Sequence, residues 1–82
     1  MDLLKYKFRF QQMDQLIRMK ATGPPKSFAL KLAISESHLY RLIEGMRMLG
    51  APIQYSKKKQ TYYYVQEGSF ILGFLEGNGG DF

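Results

Sequence analysis

The spacing of apolar residues changes once along this chain, at Gly50-Ala51-Pro52, and this limits the fold more than any other feature. Before that point Leu3, Tyr6, Phe10, Met13, Ile17 and Ala21 recur at steps of three and four, with Leu16 beside them. Such a stripe is the buried face of a helix. Lys5 to Phe10 also alternates with period two, but the longer stripe continues through Ile17 and predicts a first helix over 3–20. Beyond Pro52 the runs Ile53-Gln54-Tyr55 and Thr61-Tyr62-Tyr63-Tyr64-Val65 are rich in β-branched and aromatic residues, as strands are. Helices first and strands afterwards is the order of an α+β domain.

Local signals divide the helical part into three. Thr22-Gly23-Pro24-Pro25 stops the first helix: Gly can adopt the left-handed terminal conformation and Pro cannot continue a helix. A second helix is predicted over 25–32, because Pro is tolerated in a first turn. Pro24 offers no capping oxygen, and Ser27 could cap a shorter version. Ala33-Ile34 forms a tight connection, and Ser35 caps a third helix from Glu36 to about Leu49, ended by Gly50. Leu39, Leu42, Ile43, Met46 and Leu49 then share one face. Gly45, inside this helix, should cost about 1 kcal/mol relative to Ala, and close helix packing is one reason to keep it. The expected core is Met13, Ile17, Phe28, Leu32, Leu39, Ile43 and Met46.

The strands enclose Ser56-Lys57-Lys58-Lys59-Gln60, which predicts a hairpin with a tri-lysine tip. Alternation should turn Tyr62 and Tyr64 inward with Ile53 and Tyr55, leaving Tyr63 outward. Ser69 to Leu75 is a further apolar run, expected to complete the sheet as a strand or to pair with a second copy as a homodimer edge. The expected domain is 1–75, and 76–82, with Gly77-Asn78-Gly79-Gly80, reads as a flexible tail.

At 82 residues the chain is one domain, and a domain of this size buries only about 60–65% of its unfolded surface. Six Phe and six Tyr add apolar area. Without Cys, no disulfide or thiolate metal site can brace it, and His38 alone cannot build a zinc cage. No cofactor or metal is expected. The start, Met1-Asp2-Leu3-Leu4-Lys5, lacks the pattern of a signal peptide, and no stretch nears the roughly 18 apolar residues of a membrane span. The expected location is the cytoplasm, with no membrane partner. The net charge of +5 is unevenly spread. Up to Val65, 12 Lys and Arg face Asp2, Asp14, Glu36 and Glu44, whereas Glu67, Glu76 and Asp81 are the only charges beyond. A basic body suits a polyanion.

Three helices followed by a hairpin is the order of a winged helix. Phe28 to Leu42 fits helix-turn-helix packing, with Phe28, Leu32, Ile34, Leu39 and Leu42 as the wedge between two steeply crossed helices and Ala29 at their close approach. Ala33 stands at a turn position that usually needs Gly for a positive φ. The series Ile34-Ser35, Leu39-Tyr40-Arg41, Ile43-Glu44, Leu49-Gly50-Ala51-Pro52-Ile53 and Thr61-Tyr62-Tyr63-Tyr64 resembles small bacterial helix-turn-helix proteins. It is similar to the N-terminal winged helix of biotin-repressor-type and sugar-metabolism repressors, over about 14–65. The resemblance implies a three-helix core with a wing, and sequence-specific binding of double-stranded DNA through the third helix in transcription regulation. Two features depart from it. Glu36, Ser37 and His38 follow the capping Ser where Arg or Lys is common, and Lys26 and Ser27 stand where acids are usual.

The candidate DNA-binding residues are Ser35, Ser37, His38, Tyr40, Arg41, Glu44, Lys57, Lys58 and Lys59. Arg41 can read guanine and Glu44 can accept from cytosine in the major groove. Ser37 and Tyr40 suit phosphate, and so does His38, which also fits a packing role. The three lysines suit the backbone or minor groove. Glu36 suits the helix dipole. No catalytic constellation is present, so a non-enzyme is expected. The competing reading is a protein-interaction winged helix that has lost DNA contacts, favoured by the acidic start of the third helix. Operator, regulated genes and effector are not encoded in any motif.

Overall fold

The structure is a computed structural model, and it describes residues 2–72. It is a small α+β fold of three helices, α1 (Leu3–Arg18), α2 (Pro25–Leu32) and α3 (Glu36–Met48), followed by an antiparallel hairpin, β1 (Ile53–Ser56) and β2 (Thr61–Tyr64). This is compatible with the expected winged helix. The proposed tail, 76–82, and the end of the proposed 1–75 domain lie outside the described residues.

Each helix begins and ends for a local reason. The Asp2 side chain accepts the Lys5 amide at the start of α1, and Ser35 accepts the His38 amide at the start of α3; each satisfies an amide left without an intrahelical carbonyl. No side chain caps α2, which opens on Pro25 itself, so the shorter version capped by Ser27 does not form. All three helices close in the same way. A residue with positive φ follows the last turn: Lys20 at 54°, Ala33 at 57° and Gly50 at 103°. The next amide then returns to a carbonyl five residues earlier: Ala21 to Leu16 at 2.9 Å, Ile34 to Ala29 at 3.0 Å and Ala51 to Met46 at 2.9 Å. Gly50 takes its conformation without a steric penalty, whereas Lys20 and Ala33 each bear about 1 kcal/mol of left-handed strain. The first helix thus stops at Arg18 rather than Lys20, and Lys20 rather than Gly23 supplies its left-handed terminus.

All seven expected core residues are buried, with Ala29, Leu42, Ala51, Ile53 and Tyr62 completing the cluster. Phe28 sits at its centre, its ring 5.6 Å from that of Tyr62. The stripe overreaches at both ends. Leu3 is exposed because the packing against α1 begins further along, where Tyr6, Phe10 and Leu16 lie against the core. Leu49 is exposed because it is the residue at which the chain leaves α3. Ile34 is only half-buried. Gly45 is not a packing requirement, since a Cβ there would meet nothing within 4 Å.

The hairpin pairs Ile53 with Tyr64, Gln54 with Tyr63, Tyr55 with Tyr62 and Ser56 with Thr61. Tyr62 is buried, and Tyr55 and Tyr64 are packed against the core as expected, but Tyr63, expected outward, is half-buried, and Thr61 is buried where it meets Thr22. Residues 69–72 form no strand, contrary to expectation, and 73–75 lie outside the described residues. A third strand is unnecessary on that side because side chains fill its role. The Thr22 Oγ1, from the α1–α2 connection, accepts the Tyr62 amide at 2.9 Å, and Thr61 Oγ1 accepts the Thr22 amide at 3.2 Å. The two hydroxyl oxygens are 3.1 Å apart. Thr22 and Thr61 are both buried, so these hydrogen bonds satisfy groups that water cannot reach.

Three substitutions test this arrangement by urea or thermal unfolding. Leu39→Ala should cost about 2–5 kcal/mol through lost burial and the cavity left behind. Gly45→Ala should instead stabilise by about 1 kcal/mol, because the site is open and Ala is the better helix former. Thr22→Val, which keeps the shape and leaves the Tyr62 amide without its acceptor, should cost about 1–3 kcal/mol.

Candidate nucleic-acid interface

The face of α3 opposite Leu39, Leu42 and Met46 carries Ser37, Arg41, Glu44 and Met48, with Tyr40 and Glu36 at its hairpin-side edge. Ser37, Tyr40, Arg41 and Glu44 are exposed, and His38 is half-buried on the other flank. Ser35 is exposed too, but its hydroxyl is engaged as the cap of α3. Sequence position alone places Tyr40 among these outward residues. The structure sets it beside the hairpin: burial is the main cause that raises the Tyr62 phenol above its ordinary value, and the neighbouring Tyr40 adds to it.

Lys57, Lys58 and Lys59 are exposed at the hairpin tip, and none makes a side-chain hydrogen bond or ion pair among the described residues. The tip backbone is ordered from within. Ser56 Oγ accepts the Lys59 amide at 3.1 Å, and Gln60 turns the chain into β2 with φ 51°. The lysine side chains are left to solvent or to an anion.

Charge on α3 itself cancels, Glu36 and Glu44 against Arg41 and Arg47. Arg47 is exposed but engaged: its Nε donates to the Ile53 carbonyl at 3.2 Å, and its Nη1 donates to Glu44 Oε1 at 2.7 Å. Arg41 is thus the cation on this face without an internal partner among the described residues. Lys31, by contrast, is consumed in the fold, its Nζ donating to the Ala21 carbonyl at 2.6 Å and to that of Thr22 at 3.3 Å.

Two groups that the sequence did not single out hold this surface in place. Arg47 is one. The other is Asp14, which counts in the sequence only as a charge but is buried on α1. Its Oδ1 accepts the Tyr64 hydroxyl and the Phe70 amide, both at 2.8 Å, while Oδ2 pairs with Arg18 at 2.9 Å. Phe70 also lies against Phe10, with ring centroids 5.6 Å apart. This carboxylate therefore joins α1, β2 and the segment after the hairpin. A period-based reading could have flagged Asp14, because it adjoins Met13 and Ile17 on the buried stripe.

Among the described residues no helix is long and apolar enough to cross a membrane, and no three His, Asp or Glu side chains are grouped to hold a metal. No protein-family model, curated protein or solved structure matches the chain.

Burial, and then the Asp14 carboxylate beside it, push the Tyr64 phenol well above its ordinary value of 10.0. The folded state therefore keeps a proton that the unfolded chain releases near pH 10. The stabilisation is complete below that pH and is lost as pH rises from about 10 toward the folded value. Denaturation of the native protein and of Tyr64→Phe at pH 8 to 11 should show a steeper alkaline loss in the native protein. Parallel curves would mean that Tyr64 does not carry it.

Proposed function

We propose that this chain is a winged-helix protein that binds double-stranded DNA, with α3 in the major groove and the β1–β2 hairpin on the phosphate backbone. The observation that carries the reading is the hairpin tip, where three consecutive lysines stand exposed without side-chain partners among the described residues, on a hairpin whose base is fastened to α3, a capped helix with an outward polar face. Ser37, Arg41 and Glu44 have the donors and acceptors that base edges and phosphates require. His38 and Tyr40, at the flanks, suit phosphate, and Ser35 serves by fixing the start of α3. Sequence-specific regulation of transcription is the role this arrangement suits, and a cytoplasmic location belongs to the same reading. Homodimerisation would set half-site spacing, with 69–75 as the segment proposed for it.

The cancellation of charge on α3 favours a second reading, a protein-interaction module in which the helix face meets another protein. Salt dependence separates the two. Binding to a random duplex should weaken steeply with salt if cations displace counterions from phosphate. Replacing Lys57, Lys58 and Lys59 together with Ala should flatten log affinity against log salt by about 1–3 units, similarly on specific and random duplexes. The melting temperature should hardly move, because exposed charges at a loop tip add little to folding. An unchanged slope in a folded triple variant would remove the hairpin from the interface. A wild-type protein that binds no duplex at low salt would leave the protein-interaction reading.

A further inference from the structure

Arg47 is placed where it links the hairpin to the outward face of α3. Its guanidinium spans two acceptors, the Ile53 carbonyl at the start of β1 and the Glu44 carboxylate on α3. The first is a fixed point, because Ile53 is buried and 2% exposed. The second is not, since the Glu44 side chain is largely exposed. An exposed pair three residues apart on a helix is a weak restraint when both ends are free. Anchoring one end to the backbone of a buried residue changes this. The planar fork of Arg can hold both acceptors at once, which a Lys ammonium does with less geometric definition. Glu44 Oε1 is thereby occupied, and its Oε2 has no partner among the described residues.

We infer that Arg47 is the positioning residue of Glu44, and that Glu44 held this way selects cytosine at one position of the duplex. This rests on the DNA-binding reading. A free carboxylate near phosphates is repelled and can rotate away from a base. With Oε1 tied to Arg47, the charge is offset and Oε2 remains to accept from the cytosine amino group. Arg47 reads no base and meets no phosphate; it transmits the position of the hairpin base to one contact on α3. Selectivity at that position therefore depends on a residue that does not itself touch the base.

The test is a double-substitution cycle on the full chain. Binding is measured on the duplex selected by the wild-type protein from a random library, and on versions in which each base pair is changed. Wild type should prefer cytosine at one position by about fivefold to tenfold, the low end of what a single directional contact gives. Glu44→Ala should abolish that preference. Arg47→Met should also abolish it, and should do nothing further to it in the Glu44→Ala background. Arg47→Lys, which keeps the charge but not the fork, should lie between, and it carries the test if Arg47→Met does not fold by circular dichroism. A loss of discrimination from Arg47→Met that persists without Glu44 would assign Arg47 a merely structural role and overturn the inference. So would a cytosine preference that survives Glu44→Ala, with DNA binding itself intact. Absence of wild-type binding to any duplex would remove the DNA reading and this inference together.

Discussion

The pair of threonines between the α1–α2 connection and β2 carries much of this structure. A two-stranded hairpin is marginal in water, because each strand has an unpaired edge and one face must find a core. Here the Tyr62 amide points away from β1 and finds the Thr22 hydroxyl, while the Thr22 amide finds Thr61. Two short side chains thus replace the ladder that a third strand would supply. With the Tyr62 amide satisfied, the residue can be buried against Phe28 and Tyr55, its ring 4.8 Å from that of Tyr55. The hairpin becomes part of the core and not an appendage, and its tip acquires a defined place relative to α3.

Two ionised side chains extend this docking. Asp14 fastens α1 to Tyr64 and to Phe70, and Arg47 fastens α3 to the start of β1. Asp14 joins elements far apart in sequence, whereas Arg47 joins neighbouring ones, and in both the charge meets hydrogen bonds. Asp14 is fully engaged and buried, so removing it would leave a phenol and an amide without their acceptor. Arg47 is half-exposed and free to serve the surface as well as the fold. The net basic charge of the chain is consequently not evenly available. Arg18, Lys31 and Arg47 are engaged internally, whereas Lys5, Lys7, Lys20, Lys26, Arg41 and Lys57 to Lys59 are exposed without a side-chain partner among the described residues. The outward cations are those an anionic partner would meet.

Chemistry local to a few residues was legible in the sequence. The stripe Met13, Ile17, Phe28, Leu32, Leu39, Ile43 and Met46 had to be buried, because no other set keeps one face of each helix apolar. Ser35 had to cap α3 and Gly50 had to end it, since those tasks depend on a hydroxyl and on freedom at positive φ. The positive φ of Ala33 was legible only from its place in the helix-turn-helix pattern, since Ala has no freedom there of its own. Local chemistry misled where a locally apolar residue lies beyond the reach of packing, as at Leu3 and Leu49, and where Gly45 suggested a close approach that does not occur.

The sequence by itself therefore determined the three helices, the hairpin, most of the core and the outward-facing residues, because each follows from periodicity and capping within one element. Only the tertiary structure decided which polar groups hold those elements together. Asp14 is separated from Phe70 by 56 positions, and Thr22 from Tyr62 by 40. No periodicity within one element relates residues so far apart. Their pairing follows from desolvation: once the core closes, each buried amide, hydroxyl and carboxylate must take a partner among the groups that folding has brought within reach.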